Sequence, residues 1–224
     1  METSNEEKLF DLIVIGAGTG GNGVARMAAA EGWNVASVDC LPYGGTCALR
    51  GCDPKKMLVA VTEAIDWADN LKGKGVEAQT SVNWPEMIAF KRTFTDVMPP
   101  RIEAGLNKAG VTTLHGDARF TAPDSIEING ETLRARHFHI ATGARPMTLN
   151  IPGEELLITS TDFLNLPERP ERIAFVGGGF IAMEFAHIAA RAGASEVTVL
   201  EMMKRPLGNF DPDMVDLLVE ATDK

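Results

Sequence analysis

The stretch Leu12-Ile13-Val14-Ile15-Gly16-Ala17-Gly18-Thr19-Gly20-Gly21 decides the fold. Four apolar residues read as a short buried strand, and the glycines that follow obey G-x-G-x-x-G. The run Val24-Ala25-Arg26-Met27-Ala28-Ala29-Ala30 then favours a helix. In that context each glycine has a task. Gly16 allows the tight turn, Gly18 lets a pyrophosphate approach the backbone, and Gly21 lets the helix pack on the strand, while the helix N-terminus faces the phosphates. Val35-Ala36-Ser37-Val38-Asp39 reads as the second strand. It ends in an acid twenty-three positions after Gly16, where a carboxylate accepts ribose hydroxyls. A dinucleotide is expected to bind here.

The pattern repeats. Arg172-Ile173-Ala174-Phe175-Val176 reads as a strand, Gly177, Gly179 and Ala182 form a G-x-G-x-x-A turn, and a helix follows from Met183 to about Ala192. Glu196-Val197-Thr198-Val199-Leu200-Glu201 is a further strand ending in an acid. Pro146 to Pro170 is the Pro-marked crossing between the two halves.

Between the two glycine motifs lies Gly44-Gly45-Thr46-Cys47-Ala48-Leu49-Arg50-Gly51-Cys52-Asp53-Pro54-Lys55-Lys56. A structural bridge this short closes a loop too small to stabilise much. A metal site needs about four ligands, and no second Cys or His pair lies nearby. The pair Cys47 and Cys52 therefore reads as a redox-active disulfide. Residues i and i+5 of a regular helix are roughly 8.5 Å apart at Cα, beyond the span of about 7 Å that a disulfide tolerates. The chain must bend between them, and Gly51 can supply the bend. With two dinucleotide motifs and one dithiol, the economical reading is an electron relay: a nicotinamide at one site, a flavin at the other, and the disulfide beyond it.

GGTC-x4-GC-x-P-x-K, the opening GAGTGG, ATGARP at Ala141 to Pro146, and GGGFIAMEF at Gly177 to Phe185 together resemble the FAD-dependent pyridine nucleotide-disulfide oxidoreductases, the family of dihydrolipoamide dehydrogenase, glutathione reductase and mercuric reductase. The resemblance implies that Gly16, Gly18, Gly21, Asp39, Gly45, Thr46, Ala118, Thr142 and Gly143 hold FAD, with Asp39 replacing the more usual glutamate. It implies that Cys52 is the thiolate near the flavin and Cys47 the interchange thiol that attacks substrate. A lysine of the Lys55-Lys56 pair would pair with Glu184 beside the flavin, since a buried lysine needs an anion to remain charged. Gly177, Gly179, Ala182 and Glu201 would hold the nicotinamide dinucleotide. Glu201 favours NAD(H) over NADP(H), because a carboxylate there repels a 2′-phosphate. Relatives that use NADP place arginines at positions matching Met202 and Gly208, leaving Lys204 and Arg205 as the nearby cations.

The expected architecture is α/β with two Rossmann-like dinucleotide-binding domains, the second incomplete and a C-terminal dimerisation domain absent. Residues 1–150 would form the first part of the FAD domain with the redox disulfide, and 151–224 the start of the NAD(P) domain. Residues 54–72, 82–98 (ended by Pro99-Pro100) and 102–109 (ended by Gly110) read as helices. Val111 to Phe138 alternates like antiparallel strands, with Asn129-Gly130 as a hairpin turn, and Ile140 to Gly143 returns to the first sheet.

A net charge of -10 at pH 7 argues against a nucleic-acid footprint. No apolar run reaches the roughly 18 residues of a membrane span, and the acidic Met1 to Lys8 segment reads as a solvated tail rather than a leader. A reducing cytoplasm fits a catalytic C-x4-C. Cys40 reads as a small buried hydrophobe, His137 and His139 as strand-face residues, and the ten methionines as core filler.

Relatives in the family are about twice this length, and their catalytic histidine matches none of His115, His137, His139 and His187; the chain reads as an N-terminal fragment of a parent enzyme that is a homodimer. The substrate would be a small disulfide or dithiol. Ile102 stands where glutathione reductase has a substrate-holding tyrosine, whereas Arg26 and Lys55-Lys56 lean toward that enzyme. The alternative is a non-catalytic FAD-binding module, or a split-gene half that needs a partner chain.

Overall fold

A computed structural model describes residues 9–77 and 79–222; the Met1 to Lys8 segment lies outside the described residues. The chain divides into two compact units. One runs through to Lys55 and resumes over Arg92–Thr161, and the other comprises Lys56–Lys91 and the chain from Asp162 onward.

The first unit opens with β1 (Leu9–Ile15), α1 (Thr19–Ala30), β2 (Val35–Asp39), the short helix α2 (Gly45–Arg50) and the start of α3 (Cys52–Asn70). After α4 (Trp84–Thr95) come α5 (Met98–Lys108), β3 (Thr112–His115), β4 (Ala118–Ala122), β5 (Ser125–Ile128) and β6 (Glu131–Ile140). The six strands form one sheet of order β3-β2-β1-β6-β5-β4. β1 lies inside it, parallel to β2 on one side and to β6 on the other. A strand covered on both faces needs a continuous apolar run, which explains Leu12-Ile13-Val14. Leu12 and Val14 pack with Ala25 of α1, Tyr43 and Leu106 of α5. Ile13 packs with Phe10, Val38, Ile126 and Leu133.

Several sequence expectations meet a different outcome here. β3 pairs parallel with β2, from Ala36↔Thr112 to Asp39↔His115, rather than opening an antiparallel run. The long chain between β2 and β3 supplies the crossover that a parallel neighbour requires, and its last helix, α5, packs beside β3. β6 is a single strand that serves both halves of the sheet: Glu131 to Arg134 pair antiparallel with β5, while Arg134 to Ile140 pair parallel with β1. Pro99 and Pro100 lie in the first turn of α5 instead of terminating α4, in positions whose N–H groups the helix does not use. Among the methionines Met87 is buried, but Met27, Met147, Met202, Met203 and Met214 are exposed, so core filling does not account for them. The Asn129-Gly130 hairpin is as read, with φ of 51° and 84° at the two turn residues, the signs a two-residue type I′ turn demands.

The second unit carries the parallel pair β7 (Arg172–Val176) and β8 (Glu196–Leu200), with α7 (Phe180–Arg191) between them in sequence and α8 (Pro212–Thr222) after them; a one-turn helix, Ser160–Phe163, spans the start of the unit. Its core gathers Leu58, Trp84, Met87, Ile88, Phe163, Leu164, Phe185 and Ile188. The Phe163 ring stacks on Phe185 at 4.6 Å, and the Trp84 indole N–H donates to the Leu166 carbonyl at 2.9 Å. Among the described residues no helix is long and apolar enough to cross a membrane.

Tyr43, the one tyrosine of the chain, is 1 % exposed and staples β2 to β3. Its hydroxyl accepts the Leu114 N–H at 3.0 Å and can donate to the carbonyl of Ser37 at 2.7 Å or of Leu114 at 2.9 Å. Burial pushes its pKa up to about 12. Because the folded value lies above the unfolded one of roughly 10, the staple contributes in full below that unfolded value and is lost as pH rises toward about 12. An ultraviolet absorbance titration should show phenolate forming near the higher value in the native protein and near the lower one in denaturant. Ionisation at the ordinary value in the native state would contradict the burial.

Candidate functional site

The glycine turn after β1 is held from three directions at one peptide, that of Ala17. Its N–H donates to Asp39 Oδ2 at 2.7 Å. Its carbonyl accepts from the Gly44 N–H at 3.0 Å and from Asn22 Nδ2 at 3.0 Å. The other oxygen of Asp39 accepts the Leu41 N–H at 2.8 Å. The acid expected to meet a ribose thus also fixes the turn expected to meet the pyrophosphate, and each of its oxygens keeps a further acceptor site.

Glycine is required here by contact. At Gly16, with φ +109°, a Cβ would stand 2.2 Å from the Ala141 carbonyl oxygen, so the first glycine packs on the end of β6. At Gly21 it would stand 1.9 Å from the Gly16 carbonyl oxygen, which makes Gly21 a packing residue beneath the turn. Gly45 has φ +66° and a Cβ there would lie 2.4 Å from Gly18 Cα. The loop carrying the cysteines is therefore pressed backbone to backbone on the first glycine turn.

The result is one cleft. Gly16, Gly18, Asp39, Gly45, Thr46, Ala118, Thr142 and Gly143 all line it. Of the nine residues that the resemblance assigned to FAD, only Gly21 is absent from its wall. The sequence reading missed Cys40, Leu41, Arg50, Gly116, Asp117 and Ala141, which also line it. Cys40 is exposed in that wall rather than buried. Partial desolvation by its neighbours and a hydrogen bond to Asp117 hold its thiol above the usual range, which disfavours the nucleophilic thiolate. A strand-end position beside the acid was the available signal, because residues there face the cleft by construction. The glycine cradle, the acceptor at the end of β2 and the room along the turn fit a dinucleotide such as FAD.

The cysteines sit where α2 gives way to α3. Cys47 is half-buried within α2 and Cys52 is the exposed first residue of α3. Both are thiols in the structure. Gly51 caps α2 with φ -144° and ψ -113°, breaking the helix between them as the spacing requires, and a Cβ there would stand 3.0 Å from the Thr46 carbonyl oxygen. Lys55 (half-buried) and Lys56 (exposed) lie in the next turn of α3, and half-buried Glu184 lies on α7. Arg26 is exposed with its guanidinium laid against Gly105 of α5, and Ile102 packs against the core beside Gly44.

The second unit repeats the carboxylate device. Glu201 Oε2 accepts the Gly178 N–H at 2.6 Å and Oε1 accepts the Met203 N–H at 2.7 Å. Those bonds, Met203's first, hold its carboxyl below the usual range. Gly177 has φ +97° and a Cβ at Gly179 would meet nothing, leaving that face of the turn open. Gly178, which the motif leaves unspecified, is pinned: a Cβ there would lie 2.9 Å from Glu201 Oε2. Ala182 follows in the first turn of α7, in the place that Gly21 takes in α1. Lys204 is exposed, and Arg205 reaches Asp216 at 3.4 Å. Among the described residues no group of His, Cys, Asp and Glu side chains could hold a metal ion.

Each unit thus carries a strand, a glycine turn and a helix, and a cysteine pair stands beside the first turn. Residues 10–224 match the family described as pyridine nucleotide-disulphide oxidoreductase, and the chain belongs to it. It is 38% identical over 216 residues to a glutathione reductase from Burkholderia cepacia, covering 96% of this chain and 48% of that protein. It is 36% identical over 219 residues to a dihydrolipoyl dehydrogenase from Thermus scotoductus, covering 97% and 47%. Among solved structures it resembles a Cu(II) complex of a mutant of the HOCl-induced flavoprotein disulfide reductase RclA from Escherichia coli, with TM-score 0.82, 26% identity, and coverage of 96% of this chain and 47% of that one. The chain spans about half the length of the curated relatives it matches.

Two alanine substitutions two residues apart in α1 separate packing from propensity. Gly23 faces open space in α1, so Gly23→Ala should raise stability by roughly 0.5–1 kcal/mol. Gly21→Ala must push the Gly16 carbonyl aside and should lower it. Denaturant unfolding of both variants checks this; equal effects would contradict the packing.

Proposed function

We propose that the chain forms the FAD-binding and disulfide-bearing half of a reductase in which NADH reduces FAD, FAD reduces a Cys47–Cys52 disulfide, and the resulting dithiol reduces a small disulfide, or the sequence runs in reverse on a dithiol. One observation carries this reading: Gly45 of the cysteine-bearing loop rests on Gly18 of the dinucleotide turn, so the thiol pair is built onto the cofactor cradle. Bound FAD would supply a two-electron link between a nicotinamide and the disulfide.

The protein's own residues do the rest. Cys47 thiolate attacks one sulfur of the substrate disulfide, forming a mixed disulfide and expelling one thiolate, which takes up a proton. Cys52 thiolate then attacks Cys47 Sγ, closing the intramolecular disulfide and expelling the second thiol. A helix break at Gly51 serves this exchange, because an unbroken helix would hold the sulfurs apart. Oxidation of NADH in the presence of FAD and a panel of small disulfides, glutathione disulfide and lipoamide among them, tests the reading. Turnover lost on Cys47→Ser supports it, whereas FAD binding with no disulfide reduction on any substrate favours the non-catalytic module.

The two thiols should differ. Alkylation of the reduced, FAD-loaded protein should label Cys47 first, since Cys52 is assigned the place against the flavin. Peptide mapping that finds Cys52 labelled first, or both at one rate, would remove the assignment.

The nicotinamide preference is assigned to NADH. Glu201 presents its carboxylate at the end of β8, and Arg205 is directed to Asp216. Rapid-mixing reduction should be faster and tighter with NADH than with NADPH, and Glu201→Ala should narrow the gap. A faster, tighter reaction with NADPH would refute it.

A further inference from the structure

We propose that Arg50 is a cofactor-binding residue whose guanidinium grips the pyrophosphate of the dinucleotide in the first unit's cleft. The inference rests on the reading of that cleft as the FAD site. Arg50 is the last residue of α2 and is half-buried. It lines the same cleft as Gly18, Gly45 and Thr46, the residues of the pyrophosphate turn and of the loop pressed onto it.

Charge makes the case. The cleft wall contains two carboxylates, Asp39 and Asp117, and Arg50 is its one cation. A pyrophosphate would add about two negative charges to that wall. Helix N-terminal N–H groups offset part of this, but an arginine fork offers paired, charge-assisted hydrogen bonds to phosphate oxygens. No hydrogen bond or ion pair of the Arg50 side chain occurs among the described residues, although other charged side chains of this unit find partners, such as Arg136 with Asp11 at 3.0 Å and Arg134 with Asp124. A half-buried arginine whose guanidinium has no acceptor, in the wall of a dinucleotide cleft, has an anion as its natural complement.

Its mounting is rigid. α2 begins at Gly45, whose backbone lies on Gly18, and ends at Arg50, so the helix spans the short distance from the phosphate turn to the residue before Gly51. The same six-residue helix contains Cys47. One segment thereby holds the interchange thiol and the pyrophosphate contact.

The test is FAD affinity of the whole chain, read by flavin fluorescence, for the wild type, Arg50→Met and Arg50→Lys across a salt series. Arg50→Met should weaken FAD about tenfold to a hundredfold, the scale of a charged hydrogen bond, and flatten the salt dependence. Arg50→Lys, which keeps the charge without the fork, should weaken FAD less and retain the salt dependence. Adenosine, which has no phosphate, should bind all three proteins alike, and the apoproteins should unfold at one temperature. Wild-type affinity and salt dependence in Arg50→Met would overturn the assignment while leaving the FAD site intact. Equal losses of FAD and adenosine, or an Arg50→Lys variant as insensitive to salt as a neutral one, would likewise overturn it. A wild type that binds no FAD would overturn the reading of the cleft itself.

Discussion

The Ala17 peptide is the constraint on which the first unit depends. Its N–H is taken by Asp39, and its carbonyl by Gly44 and Asn22. Those three partners belong to the end of β2, the loop leading to the cysteines and the first turn of α1. One peptide therefore sets the shape of the glycine turn, the direction of the helix dipole behind it, and the position of the cysteine-bearing loop. Any change that rotates it moves all three together. This is preorganisation in the literal sense, because the groups that would meet a pyrophosphate are fixed by the fold before any ligand arrives.

The second unit shows how far the same device can vary. Gly178 stands in the place of Ala17 and Glu201 in that of Asp39, each acid bonding the middle residue of its turn and the residue two positions beyond itself. A glutamate and an aspartate differ by one methylene, and the difference is absorbed where each turn has most room. Gly178 would clash with Glu201 if it carried a side chain, whereas Ala17 tolerates one and is fully buried. In the third position the two units differ the other way, with Gly21 crowded against Gly16 and Ala182 accommodated. Each turn thus spends its need for glycine at a different place.

Much of this was legible in the sequence because backbone geometry with few solutions leaves an unmistakable residue pattern. The strand-turn-helix around Gly16, the repeat at Gly177 and the Asn129-Gly130 hairpin follow from positive φ angles or close contacts that favour glycine and asparagine. Strand partners were less legible. Thr112 to His115 alternates equally well as a parallel edge or as the start of a meander, and the path of α4 and α5 decides between them. Pro99-Pro100 can stop one helix or start the next, since a missing N–H suits both. In the site, Cys40 and Arg50 escaped because each carries no motif of its own; a lone thiol reads as core and a lone arginine as solvated until the sheet places both in one wall.

The central claim is that cofactor cradle and thiol pair form one redox unit, and anaerobic reductive titration of the FAD-loaded protein tests it most directly. If the pair takes part, the wild type should accept twice the electrons that its flavin alone can hold, and Cys47→Ser should accept only the flavin's share. A wild type that saturates at the flavin's share, with its cysteines unchanged, would contradict the account.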